Sequence, residues 1–170
     1  MLSENVQEAL NNQLNAEFYS AYSYLSLASY FEDLDLNGFA HWMKIQYQEE
    51  LLHADKIYTY INNRDGRVKL HPIAAPQFDW ESPLDAFKFA LGNERKLSED
   101  IYQVVDMALS ERDHATHTFM QWFVNEQVEE EAIVRDIVSD IERVIESKDG
   151  LFLMDRDLAG RQPDSVGESA

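Results

Sequence analysis

Cysteine is absent from this 170-residue chain, and glycine and proline are scarce, with six and four residues. The lack of cysteine excludes disulfides, thiol nucleophiles, zinc fingers and iron–sulfur clusters. Few helix breakers, together with many Glu, Ala, Leu and Gln residues, favour helices over sheets. Because 45% of the residues are hydrophobic, we expect one folded domain with a sizeable core rather than a disordered chain.

Basic residues are also few, since 14 Lys and Arg stand against 32 Asp and Glu for a formal net charge of −18. Nucleic acid is an unsuitable partner for such a chain because phosphate binding requires clustered Lys and Arg. The acidity fits attraction of metal cations, and it equally fits a solvated surface such as that of a salt-adapted organism.

Long hydrophobic runs are missing as well. No run approaches the roughly 20 apolar residues of a membrane span, so we expect no membrane partner. The first residues lack the basic and apolar regions of a signal peptide, and we therefore expect a cytoplasmic location.

Apolar residues instead repeat with helical spacing in four long segments. The predicted long helices span about 3–33, 38–64, 83–109 and 114–148. Asn37 and Ser82 are predicted N-caps, and Gly66 is placed for a helix C-terminus.

An extended stretch over about 67–81 can bridge about 50 Å, which is enough to run the length of a helix bundle. The fold class is therefore all-α, a four-helix bundle with one long crossover. A short fifth C-terminal helix is predicted over 151–158. We place the bundle and this helix in one domain, 1–160, and a flexible polar tail in 161–170.

Polar residues interrupt the apolar face of every long helix near its middle. They are Glu17 in the first helix, Glu50 and His53 in the second, Glu94 in the third, and Gln127 and Glu130 in the fourth. Because these positions are central, they meet at one depth whichever way each helix runs. An isolated buried charge costs several kcal/mol, so four carboxylates there require compensation. Two divalent cations would supply it, and oxygen-rich ligation with one imidazole favours iron, manganese or zinc.

Each interruption has a simpler explanation when it is taken alone. A single Glu in the middle of a helix face is more often a surface residue. The Glu50-x-x-His53 pattern also occurs by chance on many helices. The prediction of a two-metal site therefore depends on the coincidence of all four helices at matched depth.

The sequence around these residues resembles the non-haem ferritins of bacteria and archaea. The resemblance covers almost the whole chain and is carried by Glu17, QEELLH at 48–53, WESPLDAF at 80–87, Glu94 and NEQVEEE at 125–131. It implies a ferritin-like bundle and a hollow shell, normally of 24 copies, that stores iron as Fe(III) mineral. It also implies ferroxidase activity, the oxidation of Fe(II) by dioxygen or hydrogen peroxide.

The resemblance further implies an assignment of ligands within each subunit. Glu17 and His53 would hold one iron, Glu94 and Glu130 the second, and Glu50 would bridge them. Together these residues would form a di-iron ferroxidase centre.

Other residues near that centre acquire roles by the same resemblance. Gln127 would be a nearby hydrogen-bonding residue. Tyr24 and Trp122 match aromatic residues that supply electrons or tune the centre, although they also fit plain core positions.

A third, weaker iron site is implied by the same likeness. Its residues would be Glu49, Glu126, Glu129 and Glu130. The first three equally fit an ordinary solvated acidic face.

Differences from neighbouring families narrow the interpretation. Bacterioferritins repeat Glu-x-x-His in the last helix, where this chain has Gln127-x-x-Glu130. They also carry a haem-ligating Met where this chain has Leu51 and Leu52, so we expect no haem. Two alternatives remain open, a non-storage di-metal oxidase on the same bundle and a purely structural helical bundle without iron.

Overall fold

The computed structural model describes residues 2–163, and within that range the chain folds into five α-helices without a strand. The helices are α1 (Glu4–Asp33), α2 (Asn37–Asn63), α3 (Pro83–Ser110), α4 (His114–Val144) and α5 (Lys148–Leu158). This confirms the predicted fold class, an all-α bundle with a short fifth helix. Most of the predicted polar tail, residues 164–170, lies outside the described residues.

The long helices pair through short turns, α1 with α2 and α3 with α4, while α1 also packs against α3. The stretch 64–82 connects the two pairs, as the predicted crossover requires. Within it Trp80 is buried, and its ring lies 5.2 Å from that of Tyr30. The fifth helix packs against α2 and α4.

Two apolar clusters form the core, one on either side of the middle of the bundle. One contains the tilted and edge-on rings of Phe31, Phe39 and Phe87. The other includes Leu10 and Ile57 near the opposite end. The polar interruptions of the four helices fall between these clusters, so a polar layer divides the core.

Helix starts follow the local sequence except at α2. The Ser82 hydroxyl accepts a hydrogen bond from the amide of Asp85, as its predicted capping role requires. The prediction for Asn37 is wrong, because Asn37 is the first residue of α2 and its side chain makes no cap. Instead Asp155 of α5 accepts hydrogen bonds from the amides of Gly38 and Phe39 at 2.7 and 3.1 Å.

The approach of α5 explains the glycine at that helix start. A Cβ on Gly38 would lie 1.6 Å from the carbonyl oxygen of Asp155, so no larger residue fits while α5 is docked. The cap of α2 thus comes from a residue more than a hundred positions away. Local sequence patterns at helix starts cannot predict such a distant cap.

The helix ends also differ from the predictions. Asp65, with φ 56°, adopts the left-handed conformation after α2, whereas Gly66 does not. The Gly66 amide instead closes the helix by donating to the carbonyl of Ile61 at 2.9 Å. Helix α4 ends at Val144 rather than near residue 148, because Ser147 caps a new helix by accepting from the amide of Gly150.

The helices of the described chain include none long and apolar enough to cross a membrane.

Candidate metal centre

The six polar residues that interrupt the helix faces are all buried in the layer between the two apolar clusters. Glu17, Glu50, Glu94 and Glu130 are each at most 3% exposed, so these carboxyl groups are almost completely removed from water. Helical spacing of three and four residues places each of them on the inward face of its helix, beside apolar neighbours.

Glu17, Glu50 and His53 form a compact group with three possible ligand atoms within 4.8 Å of one another. The Nδ1 atom of His53 lies 3.5 Å from Glu50 Oε2 and 3.9 Å from Glu17 Oε2. In residues 2–163 this is the one group of three or more His, Cys, Asp and Glu side chains close enough to share a metal ion. These three side chains can therefore share one metal ion, and their assignment to the first iron stays a prediction.

Glu94 occupies the other side of the layer and is held by donors from two helices. Tyr24 donates its phenolic proton to Glu94 Oε1. Gln127 Nε2 donates to Glu94 Oε2 and to the Glu94 carbonyl, both at 3.0 Å. Gln127 is thus a hydrogen-bond donor to Glu94, and both carboxylate oxygens of Glu94 have donors.

Glu130 and Glu50 differ in their hydrogen-bond partners. Glu130 Oε2 accepts a hydrogen bond from Gln46 Nε2 at 3.0 Å. Both oxygens of Glu50 are buried, and neither makes a hydrogen bond of good geometry with the described residues, although Glu17 and Ser20 lie near enough to act on its pKa. A buried carboxylate held so weakly is costly, and a divalent cation between the two halves of the layer would compensate it.

Electrostatics within the layer follow from burial and from the closeness of like charges. Burial, followed by the charge of Glu50, raises the pKa of Glu17 well above its usual range. Burial, followed by the charges of Glu94 and Glu130, does the same to the pKa of Glu50. Burial and the charge of Glu94 raise the pKa of Glu130 to about 8.

Glu94 shows the opposing effect of hydrogen bonds. Burial raises its pKa, while the bonds from Tyr24 and Gln127 act in the lowering direction. Burial and the neighbouring charge of Glu94 also raise the pKa of the Tyr24 phenol, so that group remains a proton donor to the carboxylate. The layer without metal therefore favours protonated carboxyls, and a cation that binds there displaces protons.

Two supporting residues were not predicted as part of the site. Gln13 donates from Nε2 to Glu17 Oε1 at 2.7 Å, and Gln46 supports Glu130. Each lies one helical turn before a carboxylate of its own helix, Gln13 before Glu17 and Gln46 before Glu50. Because residues at i and i+4 share a helix face, this spacing could have identified both glutamines as neighbours of the site.

Aromatic rings enclose the imidazole of His53. The ring centroids of Trp122 and Phe123 lie 5.3 and 6.0 Å from that of His53, both nearly perpendicular to it. Lys56 places its ammonium group 3.9 Å from the Trp122 centroid. Trp122 therefore lies at the edge of the layer, whereas Tyr24 lies inside it.

The residues of the implied third iron site are less closely grouped. Glu49 is buried, Glu126 is half-buried and Glu129 is exposed, beside the buried Glu130. They do not form a metal-sized group in the part of the chain that is described. Glu49 pairs with Arg161, whose Nη2 lies 2.6 Å from Glu49 Oε2. The third site stays a prediction.

The arrangement has the chemistry of a site for hard or borderline divalent cations. It offers four carboxylates and one imidazole, and no thiol is available because the sequence lacks cysteine. Such oxygen-rich ligands suit iron and manganese, and they also stabilise the higher charge of an oxidised ion.

Comparison with known proteins gives consistent matches across the chain. A family model described as the ferritin-like domain matches residues 7–144. Two relatives are each named bacterial non-heme ferritin. The one from Staphylococcus aureus strain MRSA252 is 36% identical over 161 residues, covering 95% of this chain and 97% of that protein. The one from Bacteroides fragilis strain 638R is 42% identical, covering 95% and 100%.

Among solved structures, the chain is similar to the open pore ferritin of the hyperthermophilic archaeon Archaeoglobus fulgidus. The TM-score is 0.94 at 48% sequence identity, covering 95% of this chain and 99% of that one. The family match includes every residue of the polar layer, from Glu17 to Glu130.

Proposed function

The chain belongs to the ferritin family as a prokaryotic non-haem ferritin, and we propose that it oxidises Fe(II) in the buried carboxylate layer. The Fe(III) formed there is stored as a mineral inside a shell of identical subunits. Family membership supports iron storage as the general role. The observation that carries the oxidation step is the buried triad of Glu17, Glu50 and His53, whose ligand atoms lie within 4.8 Å of one another.

The two halves of the layer support a site for two iron ions per subunit. Glu17 and His53 hold the first Fe(II), and Glu94 and Glu130 hold the second. Glu50 is the proposed bridge, because it shares a metal-sized group with Glu17 and His53 and the charges of Glu94 and Glu130 on the other side of the layer raise its pKa.

Hydrogen bonds from the other residues of the layer orient these ligands. Gln127 acts through Glu94, because its Nε2 is already used in bonds to that residue. Tyr24 fixes the other oxygen of Glu94 by donating its phenolic proton to it. Gln13 and Gln46 position Glu17 and Glu130 in the same way.

The redox chemistry balances with iron as the substrate. Each Fe(II) loses one electron, so an iron pair supplies the two electrons that reduce dioxygen to hydrogen peroxide, or hydrogen peroxide to water. The proposed oxidant is either of these molecules. The carboxylates bind Fe(III) more strongly than Fe(II), which favours oxidation inside the layer.

Exposed apolar residues support an assembly of many copies. In the single chain Leu70 and Phe78 of the crossover are 70% and 73% exposed, and Tyr22 of α1 is 47% exposed. Burial against other subunits would remove these surfaces from water. We propose a homo-oligomeric shell of 24 copies, located in the cytoplasm, without a nucleic-acid or membrane partner and without haem.

Aerobic addition of Fe(II) to the metal-free protein tests this function. We expect oxidation much faster than in buffer and retention of hundreds of iron ions per assembly. Glu50→Gln should abolish the rapid phase. Asp55→Asn removes an exposed carboxylate from the same helix and should leave that phase unchanged.

The two alternatives give different results in the same preparation. A non-storage oxidase would oxidise iron as a monomer or dimer and retain only the ions bound at its site. A structural bundle would oxidise no iron, and replacing Glu50 with Leu would stabilise it without any loss of activity. Oxidation no faster than in buffer would contradict the proposed function.

A further inference from the structure

A cavity of about 360 Å³ lies between α1 and α3. Its polar lining consists of the side chains of Asn5, Glu8, Asn12, Gln13, Asp100 and Gln103. Most of these residues are exposed, whereas Gln13 is only 1% exposed, so the cavity reaches from the surface to a buried residue. From Asn5 to Gln13 it follows α1 for about two turns, a rise of about 12 Å.

The inner end of this cavity lies beside a proposed iron ligand. Gln13 Nε2 donates to Glu17 Oε1 at 2.7 Å, so one side chain connects the cavity wall to the carboxylate layer. The other amide atom, Gln13 Oε1, is buried and has no hydrogen-bond partner among the described residues. Because one hydrogen bond holds this unbranched side chain, its rotation would join the cavity to the layer.

The metal layer needs such a passage because its ligands are closed off from water. Each of the five proposed ligands is at most 6% exposed, namely Glu17, Glu50, His53, Glu94 and Glu130. A cation from solution can reach them only by passing between helices.

The lining of the cavity suits a hydrated cation better than dioxygen. Six of the nine lining residues are polar, and two of these are carboxylates. Amide and carboxylate oxygens accept hydrogen bonds from the water molecules around a divalent cation. Negative charge in a cleft also raises the local concentration of cations, whereas apolar dioxygen gains nothing from it. Asp100 already accepts a hydrogen bond from Lys96 at 2.6 Å, so we choose Glu8 to test the effect of charge.

We propose that this cavity is the passage through which divalent cations reach Glu17, and that Gln13 closes its inner end. The proposal rests on the proposed function, because it concerns the delivery of Fe(II) to the carboxylate layer. A passage changes rates and not equilibria, since narrowing it slows the entry and the exit of a cation by the same factor. This property distinguishes it from a residue that shapes the metal site itself.

Rapid mixing of the metal-free protein with cobalt(II) in the absence of oxygen tests the passage. Cobalt(II) accepts the same oxygen and imidazole ligands as iron, and its visible absorption reports binding directly. Ala9 lines the cavity and is half-buried, so Ala9→Phe places a ring inside it. This variant should bind cobalt more slowly and release it to a chelator more slowly by the same factor, with an unchanged Kd. Ala9→Ser leaves the cavity open and should match the wild type.

A charge variant covers the case in which Ala9→Phe does not fold. Glu8 is exposed, and Glu8→Lys should slow cobalt binding about tenfold, at the low end of the range for electrostatic steering. Added salt should reduce this difference. Asp55→Lys makes the same change of charge at an exposed position on α2, outside the cavity, and should leave the rate unchanged. Binding by Glu8→Lys at the wild-type rate, or equal slowing by Asp55→Lys, would overturn the proposal.

The outcomes separate this proposal from the function on which it rests. Failure of the wild type to bind two cobalt ions tightly would overturn the proposed function and this inference together. Binding at the wild-type rate by folded Ala9→Phe would overturn the passage alone. A change of affinity without a change of binding rate would do the same, because it would indicate damage to the metal site.

A final measurement asks whether the cavity carries the oxidant instead. Protein loaded with Fe(II) in the absence of oxygen is mixed with dioxygen, so that entry of the cation no longer limits the rate. Ala9→Phe should then oxidise its iron as fast as the wild type. Slower oxidation together with unchanged cobalt binding would assign the cavity to the oxidant and overturn the proposal.

Discussion

Loading the metal-free protein with zinc(II) at pH 7 should release protons from the carboxylate layer. With a folded pKa of about 8, Glu130 holds about 0.9 of a proton at pH 7 and about 0.1 at pH 9. A carboxyl with the ordinary pKa of 4.5 would hold less than about 0.01 of a proton at pH 7. The pKa values of Glu17 and Glu50 are raised in the same direction, so they add to the release.

The expected release is therefore at least about one proton per subunit at pH 7, and the contribution of Glu130 falls about tenfold by pH 9. Zinc(II) is the suitable ion because it is not oxidised, so no iron hydrolysis adds protons. Calorimetry in two buffers with different ionisation enthalpies measures the number released. Asp55→Asn, an exposed change on α2, serves as the control and should release the same number.

The release of protons on zinc binding also predicts how zinc affinity depends on pH. Because bound cations replace bound protons, zinc affinity should rise as pH increases towards 8. A release near zero at pH 7, with affinity independent of pH, would refute the reasoning. It would mean that the four buried carboxyls are already ionised without metal.

Three further predictions concern stability. The free energy of unfolding of the metal-free protein should fall as pH rises from 5 to 8, because the raised pKa values of the buried carboxyls favour their protonated forms in the folded state. Glu50→Gln removes one of these carboxyls. It should reduce the slope by up to about 1.4 kcal/mol per pH unit, measured by denaturant titration. Asp155→Ala should lose about 1 kcal/mol by uncapping α2 and should speed hydrogen exchange in α5, whereas the exposed Asp157→Ala should change neither. Arg112→Gly should raise the melting temperature, because glycine relieves about 1 kcal/mol of left-handed strain at φ 56°; an unchanged or lower value would contradict this account.

Helical periodicity predicted the bundle because the apolar faces of all four long helices are regular. The same regularity made the buried interruptions visible, since Glu17, Glu50, Glu94 and Glu130 stand where apolar residues would otherwise repeat. Position along the helix then predicted their common depth, and the structure places each of them in the layer between the two apolar clusters.

Contacts between distant segments could not be predicted in this way. Asp155 caps α2 and Arg161 pairs with Glu49 only because α5 folds back onto α2. Neither residue interrupts a periodic pattern, so neither carries a local signal. The left-handed residue after α2 is Asp65 rather than the glycine beside it. Gly66 is needed for space instead, since an added Cβ there would lie 2.8 Å from Leu2 Cδ1.

Iron positions in the loaded protein test the central claim most directly. Crystals exposed to Fe(II) in air, with data collected at the iron absorption edge, should show two anomalous peaks in every subunit. One peak should lie between Glu17 and His53 and the other between Glu94 and Glu130, with Glu50 in contact with both. A single peak on the triad of Glu17, Glu50 and His53, or no peak in the layer, would contradict a di-iron centre.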